Sequence, residues 1–203
     1  GRGVSALAQH LPDLALAAAL AWGAGLRLYL VVFLFGLAGR LGVLPLPEHL
    51  QLLSHPLVLG AAGFMAAVEL FADKLPWLDS VWDVLHTLIR IPAGAALAAA
   101  AFGDSGAATA LAAALLGGSL TAATHFTKAG TRAAVNASPE PFSNVAVSLG
   151  EDALVLGGSW LAAAHPAIFL VLLAVFVAGI VLALRVLVQG ARRLLRRAPP
   201  PGA

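Results

Sequence analysis

The stretch LPWLDSVWDVLHTLIRIPAG, residues 75–94, decides how this chain is read. Wound at 100° per residue, it places Asp79, Asp83, His86 and Arg90 on one narrow stripe and Trp82, Leu85 and Ile89 on another. Such a helix would be unremarked in a soluble protein, where about a quarter of the residues are charged. Here it sits in a 203-residue chain that is 60% hydrophobic, 11% charged and has a mean hydropathy of +0.91. The stripe therefore needs an explanation that suits an oily protein.

Residues 14–26, 28–39, 49–68, 91–103, 105–127 and 153–184 contain no Asp, Glu, Lys or Arg. A membrane-spanning helix needs about 20 mainly apolar residues at 1.5 Å each, so 49–68 and 105–127 qualify as they stand. The run 153–184 is too long for one helix and holds His165-Pro166 at its middle; proline disfavours helix for the residue before it, which predicts two spans meeting in a tight turn. The reading is an all-α, polytopic transmembrane bundle of about six crossings, near 14–44, 57–73, 77–103, 105–127, 142–164 and 166–190. Breaks or re-entrant segments are expected in the first crossing, at Gly23-Ala24-Gly25 followed by Arg27, and in the third, at Ile91-Pro92-Ala93-Gly94.

The absence of cysteine excludes disulfides, thiolate metal sites and cysteine nucleophiles. The N-terminal GRGVSALAQHLPD lacks the pattern of a cleaved secretory signal. A net charge of +2 and a pI near 9.7 do not point to nucleic acid, because the surplus lies in Arg185, Arg192, Arg193, Arg196 and Arg197, at the end of the last apolar run. Beside a membrane helix such a cluster is a topology signal that keeps the basic, Pro-rich tail 191–203 in the cytoplasm, with anionic-lipid contact as the second reading. Counting back, the connections holding Lys74 and Lys128 to Arg132 are cytoplasmic too, with Arg27 and Arg40 as exceptions.

The chain reads as one transmembrane domain over 1–203, and two echoes suggest internal halves, 1–103 and 104–190. Ala24-Gly25-Leu26-Arg27 recurs as Ala129-Gly130-Thr131-Arg132. Pro76-Trp77 with Asp79, Asp83 and His86 is matched by Pro141-Phe142 with Asn144, Ser148 and Glu151. The spacing between the echoes differs in the two halves.

Eight of the ten acidic residues lie between Glu69 and Asp152. Charges at membrane depth cost several kcal/mol unless paired, hydrated or bound to an ion, so they mark sites or pathways. Glu69 and Asp73 share a helix face, and a Leu75-Pro76 turn folds the stripe of Asp79, Asp83 and His86 back towards them. Glu151, with Asp152 beside it, continues the stripe of Asn144 and Ser148. Together Glu69, Asp73, Asp79, Asp83, His86, Asn144, Glu151 and Asp152 form the candidate cation or proton pathway. Carboxylates with one imidazole and no sulfur suit a hard or borderline divalent ion, for which Asp79, Asp83, His86 and Glu151 are the candidate ligands; the same groups could shuttle protons. The plainer alternatives are a solvated helix end for Glu69 and Asp73, and a structural network with Arg90 for the stripe.

In KAGTRAAVNASPEPFSN, residues 128–144, Lys128, Arg132, Asn136 and Ser138 form an alternative anion site, with Ser138 before Pro139 resembling a helix N-cap. The plainer reading is a loop whose cations set topology. His125 reads as a satisfied core histidine, and the small residues of 108–125 as helix-packing scaffold.

The two long motifs, FADKLPWLDSVWDVLHTLIRIPAGA at 71–95 and KAGTRAAVNASPEPFSN with SLGED at 128–152, together with WGAGLRLYL at 22–30, resemble the uncharacterised bacterial membrane proteins grouped as domain of unknown function 4126. The resemblance covers nearly the whole chain, with Arg27 standing where an uncharged polar residue is expected. It implies a multi-pass protein of the bacterial cytoplasmic (inner) membrane, with no established activity and no residue roles to carry over.

The leading expectation is an oligomeric transporter or channel with an acidic path for a cation, either a divalent metal or one coupled to protons. The first rival binds or moves a phosphate-bearing lipid or other anion. The second is an intramembrane enzyme, although no G-x-S-x-G, H-E-x-x-H or P-loop pattern appears. The third is a purely structural or assembly role. Expected partners are membrane lipids, a small ion or anionic solute, and further copies of the chain.

Overall fold

The computed structural model describes residues 2–138 and 140–197; Pro139 and the end of the basic tail, 198–203, lie outside the described residues. Six α-helices follow one another: α1 Arg2–Arg40, α2 Pro56–Ala72, α3 Pro76–Ala101, α4 Ala107–Asn136, α5 Phe142–Ala164 and α6 Pro166–Arg197, with 3₁₀ turns at Glu48–Ser54 and Gly103–Ser105. Five helices among the described residues are long and apolar enough to cross a membrane, and the first 3₁₀ turn with α2 forms a pair bent by 64°, apolar enough for a broken sixth span or a re-entrant loop. The chain is a multi-pass helical membrane protein.

The faces of α3 are turned the way a lipid environment requires. Asp79, Asp83, His86 and Arg90 are buried, while Val84, Leu85 and Leu88 on the other side are 72, 62 and 82% exposed. Water would drive the opposite arrangement; hydrocarbon leaves apolar side chains outside and forces polar ones to find partners within.

The first expected break is present and the second is not. α1 leaves helical geometry at Arg27 (φ −144°, ψ 77°). Breaking a helix frees carbonyls that hydrocarbon cannot satisfy, and here other helices supply the donors: Arg90 Nη1 reaches Gly25 O at 3.3 Å and Lys128 Nζ reaches Leu26 O at 2.8 Å. In contrast, α3 continues through Pro92. Arg90 before the proline and Gly94 after it are both buried, so tertiary packing holds the helix where local propensity opposes it.

α1 is the central element, buried along Ala15–Leu28 and packed on α3, α4 and α5. Its approach to α4 is backbone-close: a Cβ at Gly25 would collide with Thr124 Oγ1 and stand 2.6 Å from Thr121 O. The hydroxyls of Thr121 and Thr124 donate to Ala21 O at 2.7 Å and Trp22 O at 3.0 Å. The turn expected at His165-Pro166 separates α5 from α6, which lies on the outside against α5 and α1.

Candidate functional site

The C-terminal end of α2, the N-terminal half of α3, the C-terminal half of α4 and the N-terminal half of α5 meet around the break in α1. From Pro76 to Arg90 along α3 the polar zone runs about 20 Å at 1.5 Å per residue. Alternating helix direction brings residues more than 100 apart in sequence onto one centre.

Arg27 occupies that centre with its side chain fully buried. Its guanidinium contacts Asp73, lies 2.9 Å from Asp152 Oδ1 through Nε and 3.4 Å from Glu151 Oε2 through Nη2, and donates from Nη2 to the carbonyl and hydroxyl of Ser148, both at 3.1 Å. Arg90 bridges Glu69 Oε2 at 2.8 Å and Asp83 Oδ1 at 3.2 Å. Lys128 Nζ stands 3.3 Å from Asp73 Oδ2, 3.5 Å from Asp83 Oδ1 and 3.8 Å from Glu151 Oε2. Arg132 pairs with Asp79 Oδ2 at 2.9 Å, donates to Asn144 O at 2.8 Å and to Asp73 O, and lies 3.8 Å from Glu151 Oε1. Lys74, a third exposed, reaches Asp152 Oδ2 at 3.6 Å.

Six carboxylates (Glu69, Asp73, Asp79, Asp83, Glu151, Asp152) thus share five basic side chains (Arg27, Lys74, Arg90, Lys128, Arg132), one carboxyl group more than there are bases. Glu151 is the acid with the longest ion pairs, although three cations surround it. Its three cationic neighbours stand at 3.4, 3.8 and 3.8 Å, and its Oε2 accepts no hydrogen bond although the side chain is only 9% exposed. One buried oxygen on each of Glu69, Asp73, Asp79 and Asp83, and Asn144 Oδ1, likewise accepts none. Arg90 Nε is a buried donor left over in the same centre, but spare oxygens outnumber spare donors among the described residues, which favours a proton, water or a cation over an anion.

Of the residues expected to bind a metal, Asp79 and Asp83 converge with Asp73, each able to bring an oxygen within 4.8 Å of the others. All three already face arginine or lysine, so a divalent ion there would compete with built-in cations. His86 is engaged at both nitrogens: Nδ1 donates to Trp82 O at 2.9 Å, and Nε2 meets the Tyr29 hydroxyl at 3.0 Å while the ring stacks on Trp82. Trp82 Nε1 in turn donates to Glu69 at 3.3 Å.

The residues of the anion alternative spend their donors on this protein. Lys128 and Arg132 serve the acids above, and Asn136 Nδ2 donates to Asp79 Oδ2 at 2.8 Å and Pro76 O at 3.0 Å. Ser138 does not begin a helix; α5 starts at Phe142, and Ser138 donates to Glu140 at 3.1 Å. Glu140 also accepts from the hydroxyl and the backbone N–H of Ser143, which hold its carboxyl below the usual carboxylate range. Sequence reasoning left Arg27 as a topological exception. The available signal was a lone charge inside an apolar run, which is a site by default.

The model of the family described as domain of unknown function DUF4126 matches residues 14–186. The chain belongs to this family. The DUF4126 match contains all six acids and all five cations of the network. No curated protein and no solved structure matches the chain.

Proposed function

We propose that the protein is a membrane transporter that handles a proton or small cation through the buried network, with Glu151 as the exchangeable carboxylate. One observation carries this reading: the network has one carboxylate more than it has cations, and Glu151, the acid with the longest ion pairs, is buried within a helix long and apolar enough to cross a membrane. A proton or monovalent cation cancels that charge without dismantling an existing pair, whereas a divalent ion would have to displace arginine or lysine from Asp73, Asp79 or Asp83. Release into an aqueous phase is easiest where the network approaches the surface, at Lys74 and Asp152. With the arginines of α6 retained inside, that surface is the cytoplasmic one.

The test is proton flux in liposomes of the reconstituted protein under an imposed pH gradient, followed with an entrapped pH dye. Glu151→Gln should slow flux at least about tenfold, equivalent to about 1.4 kcal/mol on the barrier, while the exposed Asp104→Asn has no effect. Equal flux in wild type and Glu151→Gln, with both variants folded, overturns the proposal.

A further inference from the structure

α1 is long enough to cross a membrane, yet its two arms, 2–26 and 28–40, run in opposite directions about Arg27. The first arm runs alongside α4: Ala21 O, Trp22 O and Leu26 O accept hydrogen bonds from Thr121, Thr124 and Lys128, in the same order along both helices. The second runs alongside α3, with Tyr29 at His86 and, further on, Val32 sharing a groove with Ala93, Ala96 and Leu97. α3 and α4 are themselves antiparallel, joined by the turn at Gly103–Ser105 and packed with Gly94 on Thr121 and Gly117 on Ala98. The two arms of α1 are therefore antiparallel to each other. Direct contact between them agrees: a Cβ at Gly23 would collide with Val31, whereas residues eight apart in a continuous helix stand about 12 Å apart.

The far ends of the arms fit the same geometry. Gly36 O accepts from Ser54 at 2.8 Å, and His49, in the 3₁₀ turn that follows α1, lies 3.5 Å from Asp104 in the α3–α4 turn. α5 passes the first arm in reverse order, Asp152 at Arg27 and then Gly158 at Trp22, so the α5–α6 turn lies on that face too and α6 returns to the other. The second arm is about 20 Å long at 1.5 Å per residue, short of the about 30 Å of a hydrocarbon core. Irregular backbone at such depth must be covered by protein or water. Here Arg90 and Lys128 take the carbonyls of Gly25 and Leu26. We infer that α1 is a re-entrant hairpin: it enters and leaves the membrane on the face of the α3–α4 and α5–α6 turns, opposite the arginines of α6, and carries Arg27 into the ionic network at its tip. Its close-packed arms then stand between the network and that face, with Lys74 and Asp152 towards the other. This goes beyond the transport reading and does not depend on it.

The chain holds no cysteine, so single reporters can be placed at exposed positions of the full-length protein: Gln9→Cys, Leu41→Cys, Asp104→Cys and Gln189→Cys. A membrane-impermeant maleimide, applied to bacterial spheroplasts before and after lysis, should label the first three from one face and Gln189→Cys from the other. Labelling of Gln9→Cys and Leu41→Cys from opposite faces makes α1 a crossing helix and overturns the inference, as does labelling of all four from one face. A second measurement needs no membrane sidedness. Gly23→Ala and Val31→Ala should each lower the thermal midpoint, and together they should cost less than the sum, because the smaller side chain relieves the collision between the arms; residues that do not touch give additive losses. Strict additivity overturns the fold-back. Neither measurement reads flux, so the hairpin and the transport reading fail separately.

Discussion

The two halves of α3 bury one continuous stripe in two different ways. In the first half the stripe is Asp79, Asp83, His86 and Arg90; in the second it is Gly94, Ala98 and Ala101. Around the first half the helices are joined through long charged side chains that leave acceptor oxygens spare. Around the second they meet at backbone distance, with Gly94 against Thr121 and Gly117 against Ala98. Close apposition of small residues makes a rigid joint, because dispersion contacts leave no room to rearrange. The ionic half can change protonation or exchange partners with modest movement. A bundle locked at one end and ionic at the other is compatible with the proposed loading and release of a charge.

The largest effect separating the halves should come from Arg90→Met, which takes from Glu69 and Asp83 their shared cation. Removing one partner from a buried ion pair costs about 3–5 kcal/mol, and here Glu69 loses the cation it is paired with while Asp83 keeps Lys128 at 3.5 Å. The denaturation midpoint in mixed sodium dodecyl sulfate micelles should fall by a corresponding amount. Arg132→Met paired with Asp79→Leu sharpens the point, since removing both charges of a pair is far less costly than removing one. If the double variant is as unstable as Arg132→Met alone, the network is not organised as the pairs described.

Gly94→Leu breaks the other half. Its Cβ would collide with the Thr121 side chain, which is itself fixed by hydrogen bonds to Ala21 O and Gly117 O. Overpacking of this kind costs about 1–3 kcal/mol, less than breaking the ionic half. The thermal midpoint from tryptophan fluorescence should drop, while the Glu151-dependent proton flux that remains at low temperature should keep its dependence on Glu151. A loss of stability greater than that of Arg90→Met would reverse the ranking of the two halves.

Much of the ionic half was legible from residue spacing, because a stripe at Asp79, Asp83, His86 and Arg90 follows from helical period alone, as does the parallel stripe of Asn144, Ser148 and Glu151. Pairing was not legible. Arg27 finds Ser148 and Asp152 more than 120 residues away, and nothing local announces that meeting. Lys128 and Arg132 read equally well as topology markers or an anion clamp, since a sequence records the sign of a charge and not its partner. Pro92 misled in the other direction: its local preference against helix is a matter of a few kcal/mol, and buried neighbours on either side override it.

The connection between α4 and α5 offers the same chemistry in a third environment. Glu140 accepts hydrogen bonds from Ser138 and Ser143 as the buried acids do from arginine, but it is exposed. Water screens and competes with every one of these bonds, so Glu140→Gln should shift the thermal midpoint only slightly. The direction with pH is set by the carboxyl being held below its usual range. Its contribution is fully present above the ordinary carboxylate titration and is lost as pH falls through the folded-state value. The small gap between wild type and Glu140→Gln should therefore close on acidification and stay constant from mildly acidic to neutral pH. A gap at neutral pH rivalling that of Arg90→Met would mean that depth in the bundle is not what gives the buried carboxylates their weight, and the contrast between the halves would have to be explained by connectivity instead.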